Sequence, residues 1–319
     1  HSFRRVLFRI ITAAGNVIRE PELSSVRNSI PKNSGTNFAE FAEAASNYAA
    51  SLGVTSVQDV HSDNDLALFS GLAKAGKLKT RVYDCVGLRV WEDNHPDVKT
   101  ATDGQHLVRG GCVKWYSDGE PDERAELRSR LAAADIAGMQ ILVHAIGEEP
   151  NANVLDAFEF TMSRNGDRDR RLRIEHAHRL RPRDFSRLSS ANIIASMQPY
   201  LFYNNGLTIG DDHRAMMKSG VKLAFGSDAS MVDLNPLLGI HAAVDAGNRS
   251  LTVEEAVLAY TLGSAYAEYQ EKQKGTIEAG KFADIIILSD DIFKVDPRKI
   301  GSVKVLTTVM DGKVVFEAK

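Results

Sequence analysis

The sequence is poor in cysteine and contains no long apolar run. Cys85 and Cys112 are too few for a disulfide framework or a zinc knuckle, so we expect both to be reduced thiols in the core. No stretch approaches the ~20 apolar residues that a membrane span needs. Arginines also interrupt the start of the chain, which makes it a poor signal peptide. These absences favour a cytoplasmic protein.

An excess of charge of one sign is also absent. The chain has 39 Lys and Arg residues against 42 Asp and Glu residues, a net charge of −3. This balance gives no indication of a nucleic-acid partner or of binding to an anionic membrane. The hydrophobic fraction of 43% is ordinary for a globular protein, and 319 residues suffice for one large barrel or two smaller domains.

Polar residues recur at the ends of short apolar runs. The runs end at Asp59, Asp84, Lys114, His144, His176, Gln198 and Asp228, at intervals of 22 to 32 residues. Each interval holds one strand, one helix and two loops. Helices are predicted over 37–52, 65–75, 122–137, 151–164 and 182–190. The pattern predicts a (β/α)₈ TIM barrel whose first strand is missing. A doubly wound sheet is the rival, but no glycine-rich phosphate turn follows the early strands.

The pattern changes after Asp228. Residues 251–269 are predicted to be helical, and 283–288, 303–310 and 313–317 are predicted to be strands. Asp311-Gly312 between the last two strands indicates a hairpin. We therefore predict three regions: an irregular N-terminal segment (1–37), a barrel (38–272) and a partial C-terminal β-layer that is the remnant of a β-sandwich (273–319).

Seven segments in order resemble one enzyme family. They are GVTSVQD (53–59), GCVKWYSDG (111–119), VHAIG (143–147), RIEHAH (173–178), ASMQP (195–199), LAFGSD (223–228) and KGTIEAGKFAD (274–284). Together they are similar to the amidohydrolase-3 branch of the metal-dependent amidohydrolases, which includes YtcJ-like proteins and N-substituted formamide deformylases. The likeness covers roughly residue 38 to the end.

The resemblance implies a TIM-barrel hydrolase that uses divalent metal. One or two ions are expected in an intact member, with Zn²⁺ the favoured ion, and CO₂ would convert a lysine at the position of Lys114 to a bridging carbamate. The family's His-X-His motif on the first strand has no counterpart near the N-terminus here. We therefore expect an N-terminally truncated chain, with a foreign start over 1–9, that binds at most one ion.

Lys114, His144 and His176 are the predicted metal ligands, together with Asp228. Burial of Lys114 would lower the pKa of its amine and leave it nucleophilic, although it could instead pair with Asp118 or extend to the barrel mouth. Neutral imidazoles suit Zn²⁺. The alternative for each histidine is an ordinary place in the core.

Asp228 is the predicted catalytic residue. In the family this aspartate binds metal and passes a proton from the attacking water to the leaving amine. A helix N-cap role is the alternative. The weaker candidates for substrate binding are His178, Trp115, Gln198 and Tyr200. His178 could equally be a surface histidine, and the aromatic residues Trp115 and Tyr200 could only pack. Glu175 alternates with His176 along its strand, so we expect it to face the helices.

The predicted activity is hydrolysis of a C–N bond in an amide, formamide or cyclic amide by metal-bound hydroxide. Ester or lactone hydrolysis on the same scaffold is one alternative. A catalytically inactive barrel that acts as a binding protein is the other. The expected partner is a small amide-type molecule, without nucleic acid or membrane. A homo-oligomer and the activity of the chain as it stands are left open.

Overall fold

The structure is a computed structural model that describes residues 10–11, 17–18, 35–60, 65–94, 107–117, 123–203 and 212–319. Two short strands, β1 (Ile10–Ile11) and β2 (Val17–Ile18), pair antiparallel near the start. The predicted foreign start over 1–9 lies outside the described residues. The predicted region boundaries stay a prediction.

Seven parallel strands form one sheet in chain order within the described residues. They are β3 (Ser56–Asp59), β4 (Arg81–Gly87), β5 (Val108–Tyr116), β6 (Gln140–Ile146), β7 (Arg173–His178), β8 (Ile194–Met197) and β9 (Lys222–Phe225). The apolar runs of the central strands are buried on both faces: Ile141, Leu142 and Val143 on β6 are 0% exposed. Such runs are typical of a parallel sheet that helices cover, and the predicted barrel architecture is confirmed.

Helices follow most of these strands. They are α1 (Gly35–Ser51), α2 (Leu66–Lys74), α3 (Leu88–Asn94), α4 (Glu123–Ile136), α5 (Glu148–Asn165), α6 (Phe185–Ser190), α7 (Pro199–Tyr203), α8 (His213–Lys218), α9 (Pro236–Val244), α10 (Val253–Leu258) and α11 (Ser264–Ala267). A π-helix at Ala259–Gly263 joins the last two. A capping box of Thr252 and Glu255 starts α10. No described helix is long and apolar enough to cross a membrane.

A small antiparallel sheet closes the chain. Its strands are β10 (Ile285–Leu288), β11 (Val305–Met310) and β12 (Lys313–Glu317), with the predicted hairpin between the last two. Arg81 at the start of β4 pairs with Asp284 at 2.7 Å and stacks on Phe282. Thr308 donates to the carbonyl of Ala50 at the end of α1. These contacts attach the sheet to the N-terminal ends of the barrel strands.

The prediction that Cys85 and Cys112 are separate thiols is wrong in this structure. The two residues lie opposite each other on β4 and β5, and their sulfur atoms form a disulfide. Both are 0% exposed and pack against Tyr83 and Leu142 in the barrel interior. The parallel register accounts for the pairing, because it places the two side chains side by side on one face of the sheet.

Candidate active site

Lys114 lies inside the barrel near the end of β5. Its side chain is 3% exposed, and Nζ lies 5.2 Å from the ring centroid of Tyr116, two residues further along the same strand face. Burial lowers the pKa of the Lys114 amine to about 8, although the carboxylates of Glu175 and Asp228 oppose the shift. A substantial fraction of the amine is therefore neutral near this pH. Asp118, the alternative partner, lies outside the described residues.

Two histidines meet at the ends of β6 and β7. The rings of His144 and His176 are arranged edge to face, with centroids 4.4 Å apart. The ring of Tyr116 lies 5.5 Å from that of His144, and the ring of His178 lies 6.1 Å from that of His176. The four rings form a row across the C-terminal ends of three adjacent strands, where barrel sites are built.

The hydrogen bond of His176 fixes which of its ring nitrogens carries the proton. Nδ1 lies 2.7 Å from Oε1 of Gln198, and because a carbonyl oxygen only accepts, Nδ1 donates and Nε2 keeps its lone pair. Burial, with His144 and Lys114 nearby, holds the pKa of His176 well below its ordinary value. The ring is therefore neutral, which is the form that binds metal.

The end of β7 is irregular, and this irregularity corrects one prediction. His176 and Ala177 have φ values of +74° and +49°, and the register with β6 shifts at this point. Such a bulge breaks the alternation of side chains, so Glu175 and His176 both reach the barrel interior. The expectation that Glu175 faces the helices is wrong. Positive φ at non-glycine residues is uncommon, and backbone strain of this kind clusters at functional sites.

Glu175 belongs to a buried polar network beneath the histidines. Its carboxylate accepts from Arg173 Nε at 2.8 Å and from Ser196 Oγ at 2.7 Å. Arg173 also donates to Gln58 Oε1 on β3, across the barrel. Burial opposes the shift, but Arg173, Lys114 and the Ser196 hydroxyl hold the pKa of Glu175 below its ordinary value. The network thus keeps a negative charge close to the amine of Lys114.

Asp228 lies three residues beyond the end of β9. It is partly buried and has a left-handed backbone, with φ +59°. Burial raises its pKa to about 6, with Glu175 contributing and with Lys114 and His178 opposing. A carboxyl group with this pKa exchanges a proton near neutral pH. The alternative role as a helix cap is not seen, because the N-terminus of α9 is capped by Asn235.

The structure does not bring every predicted residue to this cluster. Trp115 points away from Lys114 and packs between the guanidinium groups of Arg89 and Arg130 on the outer helices. Tyr200 follows β8 and packs against Leu201 and Val232. Of the weaker candidates, Gln198 and His178 lie beside His176. Gln198 makes a hydrogen bond to it, and the ring of His178 is close to its ring.

The donor chemistry of the cluster suits a divalent metal ion, provided that Lys114 takes part. Two imidazoles, a carboxylate and a lysine-derived group are ligand types that bind Zn²⁺ and similar ions. Over the described ranges, no three His, Cys, Asp or Glu side chains lie close enough together to hold an ion. A metal site built from these residues would therefore need Lys114 as a ligand.

The comparison with known families identifies the family of the chain. The family described as "Amidohydrolase family" matches residues 9–316. The chain belongs to this amidohydrolase family, as the sequence motifs predicted. Its match covers nearly the whole chain.

Three curated relatives match part of the chain. Protein LONG AFTER FAR-RED 3 of Arabidopsis thaliana is 32% identical over 60% of this chain and 36% of its own length. Putative amidohydrolase YtcJ of Bacillus subtilis is 33% identical over 56% and 38%. N-substituted formamide deformylase of Arthrobacter pascens is 26% identical over 66% and 42%. The matched region thus spans less than half the length of these relatives.

Solved structures show the same fold. An uncharacterized metal-dependent hydrolase from Pyrococcus horikoshii superimposes with a TM-score of 0.74 at 23% identity, over 91% of this chain and 68% of the other. The zinc complex of atrazine chlorohydrolase TrzN from Arthrobacter aurescens gives 0.71 at 17% identity, over 98% and 79%. At these identities the likeness concerns the fold.

Proposed function

We propose that this amidohydrolase chain carries the site of a metal-dependent hydrolase that cleaves a C–N bond in a small amide, formamide or cyclic amide. One observation carries the proposal: a buried lysine, two histidines whose rings are in contact and an aspartate with a raised pKa lie at the C-terminal ends of strands β5, β6, β7 and β9 of one barrel. The names of relatives, N-substituted formamide deformylase and imidazolonepropionase, support this class of substrate.

The ion would be held by Lys114, as its carbamate, with His144, His176 and Asp228. When bound, a divalent ion such as Zn²⁺ lowers the pKa of water and polarises a carbonyl oxygen. The lysine amine suits carbamate formation with CO₂, because burial leaves part of it neutral near pH 8. Gln198 orients His176 through Nδ1, which leaves Nε2 for the ion.

Asp228 is assigned the proton transfer. Its pKa of about 6 allows the carboxylate to accept a proton from the attacking water and to release it to the leaving amine nitrogen. Burial of the site also excludes bulk water around Lys114 and His176, which strengthens the electrostatic interactions there. Tyr116, 41% exposed and next to His144, stands at the mouth, where a substrate would enter.

The test is hydrolysis of N-substituted formamides, lactams and matched esters after loading with Zn²⁺ and bicarbonate. Released amine and formate would be quantified by chromatography. We expect saturable cleavage of C–N substrates, lowered by roughly 10²–10⁴-fold in Asp228→Asn, with circular dichroism unchanged. Cleavage of esters alone would redirect the assignment to ester hydrolysis. The proposal fails if the loaded protein holds no metal and cleaves no amide, or if Asp228→Asn is as active as the parent.

A further inference from the structure

The π-helix Ala259–Gly263 lies against the open edge of β9. Among the described strands, β9 pairs only with β8. The Gly226 N–H points toward β8, where it donates to Met197 O at 3.0 Å. The carbonyl of Phe225 belongs to the same trans peptide unit as this N–H and so points the opposite way, to the unpaired edge. Edge carbonyls of this kind need other donors.

Two hydroxyl groups from the helical segment 259–267 donate to the backbone at this end of β9. Ser264 Oγ donates to Phe225 O at 2.9 Å and also lies 3.1 Å from Ala259 O, one turn back in its own helix. Tyr260 OH donates to Gly226 O at 3.3 Å. Phe225 and Gly226 are the third and second residues before Asp228. The hydroxyls therefore hold the backbone that leads directly into the aspartate.

The close approach of this segment is built into its sequence. A Cβ atom on Gly263 would lie 2.3 Å from Leu223 O, which no side chain tolerates, so only glycine fits there. A Cβ atom on Gly239 would lie 1.7 Å from the Tyr260 hydroxyl oxygen. Because Gly239 on α9 has no side chain, the Tyr260 hydroxyl has room to reach the end of β9. A π-helix often marks a functional position.

Ser264 also contacts the opposite edge of the sheet. Gln58 on β3 donates from Nε2 to the backbone carbonyl of Ser264 at 2.7 Å. The side-chain oxygen of Gln58, Oε1, accepts a hydrogen bond from Arg173. Arg173 in turn pairs with Glu175, next to His176. Ser264 therefore contacts both edge strands of the described sheet. Through Gln58 and Arg173 it connects the Asp228 side of the site to the His176 side.

We propose that Ser264, assisted by Tyr260, is a positioning residue that fixes Asp228 relative to Lys114 and His176. The importance of Asp228 in this statement rests on the proposed function. The positioning itself does not, because it concerns hydrogen bonds to the backbone of Phe225 and Gly226. The Ser264 hydroxyl contacts neither substrate nor metal in this assignment and acts only through that backbone.

The first experiment is amide hydrogen exchange on the metal-free full chain. Three amides report on the turn around Asp228: Gly226 donates to Met197 O, Ala229 to Ser227 Oγ and Met231 to Asp228 O. We expect Ser264→Ala to speed their exchange by about tenfold, the equivalent of one lost hydrogen bond. Ser264→Thr, which keeps the hydroxyl, should restore the parent rates.

The controls separate positioning from general stability. Ser129→Ala removes a hydroxyl that donates to Glu126 O within α4, a purely local bond, and should leave the three amides unchanged. The Gly147 amide, which donates to His178 O, reports on the other side of the site and should also be unchanged. If Ser264→Ala does not fold, Tyr260→Phe removes the second hydroxyl and should speed the same amides.

The second experiment asks whether Ser264 acts through Asp228. Co²⁺ affinity is measured from visible absorption in the parent, Ser264→Ala, Asp228→Asn and the double variant. We expect Ser264→Ala to weaken Co²⁺ binding in the parent and to have no effect once Asp228 is already replaced. An equal effect in both backgrounds overturns the inference, as does unchanged or uniformly faster exchange in Ser264→Ala. A parent that binds no Co²⁺ contradicts the proposed function, and the exchange result still decides the positioning.

Discussion

The rings of His144 and His176 lie edge to face, 4.4 Å between centroids, on neighbouring parallel strands. In the register of β6 and β7, Ala145 is opposite His176, so His144 is its diagonal neighbour. The left-handed backbone of His176 brings its ring toward that of His144 instead of leaving it on the alternate face. The pairing of the two rings is therefore a product of the bulge at the end of β7.

We predict that the two imidazoles act as a pair in metal binding. With bicarbonate present, the chain should bind one equivalent of Zn²⁺ in equilibrium dialysis. His144→Ala and His176→Ala should each weaken binding by more than the ~10–100-fold typical of an outer-shell partner, because each removes a proposed ligand. Gln198→Ala should weaken it by about 10- to 100-fold, because it only orients His176.

The control for this prediction is His241→Ala. His241 bonds to Tyr203 and to the Pro297 carbonyl on the surface, so its loss should leave the affinity unchanged. Equal losses in His241→Ala and His176→Ala would show that the ion is bound nonspecifically. Retention of two tightly bound ions would mean that ligands outside this cluster take part.

Most of the barrel could be predicted from the sequence, since each apolar run is long enough for one buried strand and ends in a polar residue. The runs ending at Lys114, His144 and His176 all became parallel strands with those residues near their C-terminal ends. Residue type and repeat length carry this information, because parallel strands place their ends on one side of a barrel.

The structure differs from the sequence predictions at Glu175 and at the two cysteines. Regular alternation places Glu175 on the outer face, whereas the bulge at His176 brings both residues to the barrel interior. The spacing of Arg173 and Glu175 was an available signal: residues two apart on a strand share a face and can pair. Two cysteines are too few to indicate a disulfide framework, but their separation of 27 residues is close to one barrel repeat and places them on adjacent strands.

We predict that Glu175 is far more important for stability than an exposed glutamate with equally short ion pairs. Glu175→Gln removes the charge that balances buried Arg173 and should lower the free energy of unfolding by ~3–5 kcal/mol. Glu159 bonds Arg187 at 2.7 and 2.8 Å on the surface, and Glu159→Gln should cost only ~0–1 kcal/mol. Urea denaturation of both variants measures the difference. Similar losses of unfolding free energy in the two variants would contradict a stabilising role for the buried Glu175–Arg173 pair.

The disulfide predicts a chemical result. Under denaturing, non-reducing conditions, neither Cys85 nor Cys112 should react with iodoacetamide, and both should react after reduction, as read by intact mass. Two reactive thiols without reduction would restore the original expectation for these residues. A stable disulfide is more usual in oxidising compartments, so this result also bears on the cytoplasmic location, which stays a prediction.

Asp84 provides a prediction about stability and pH. It lies on β4 beside the start of α2, is 2% exposed, and its Oδ2 has no hydrogen-bond partner within the described residues. Burial, followed by the charges of Asp59 and Asp65, raises its pKa to about 7, although a hydrogen bond from the backbone N–H of Leu66 opposes the shift. In the unfolded chain the pKa of an aspartate is about 3.9. The native state therefore holds this proton more tightly between about pH 4 and pH 7.

Proton binding by Asp84 determines how the free energy of unfolding changes with pH. Because the native state binds more protons than the unfolded state in that window, the contribution of Asp84 to the free energy of unfolding falls as pH rises from about 4 to about 7, and it stays low above. Asp84→Asn removes the titration, so we expect it to be more stable than the parent at pH 8 by on the order of 1–3 kcal/mol, with the difference shrinking toward pH 4. Urea denaturation across this range gives the curve, and Asp167→Asn, at an exposed position, is the matched control. A variant that is less stable than the parent at pH 8 would mean that the Asp84 carboxylate is stabilised by its surroundings, contrary to its burial beside two other acids.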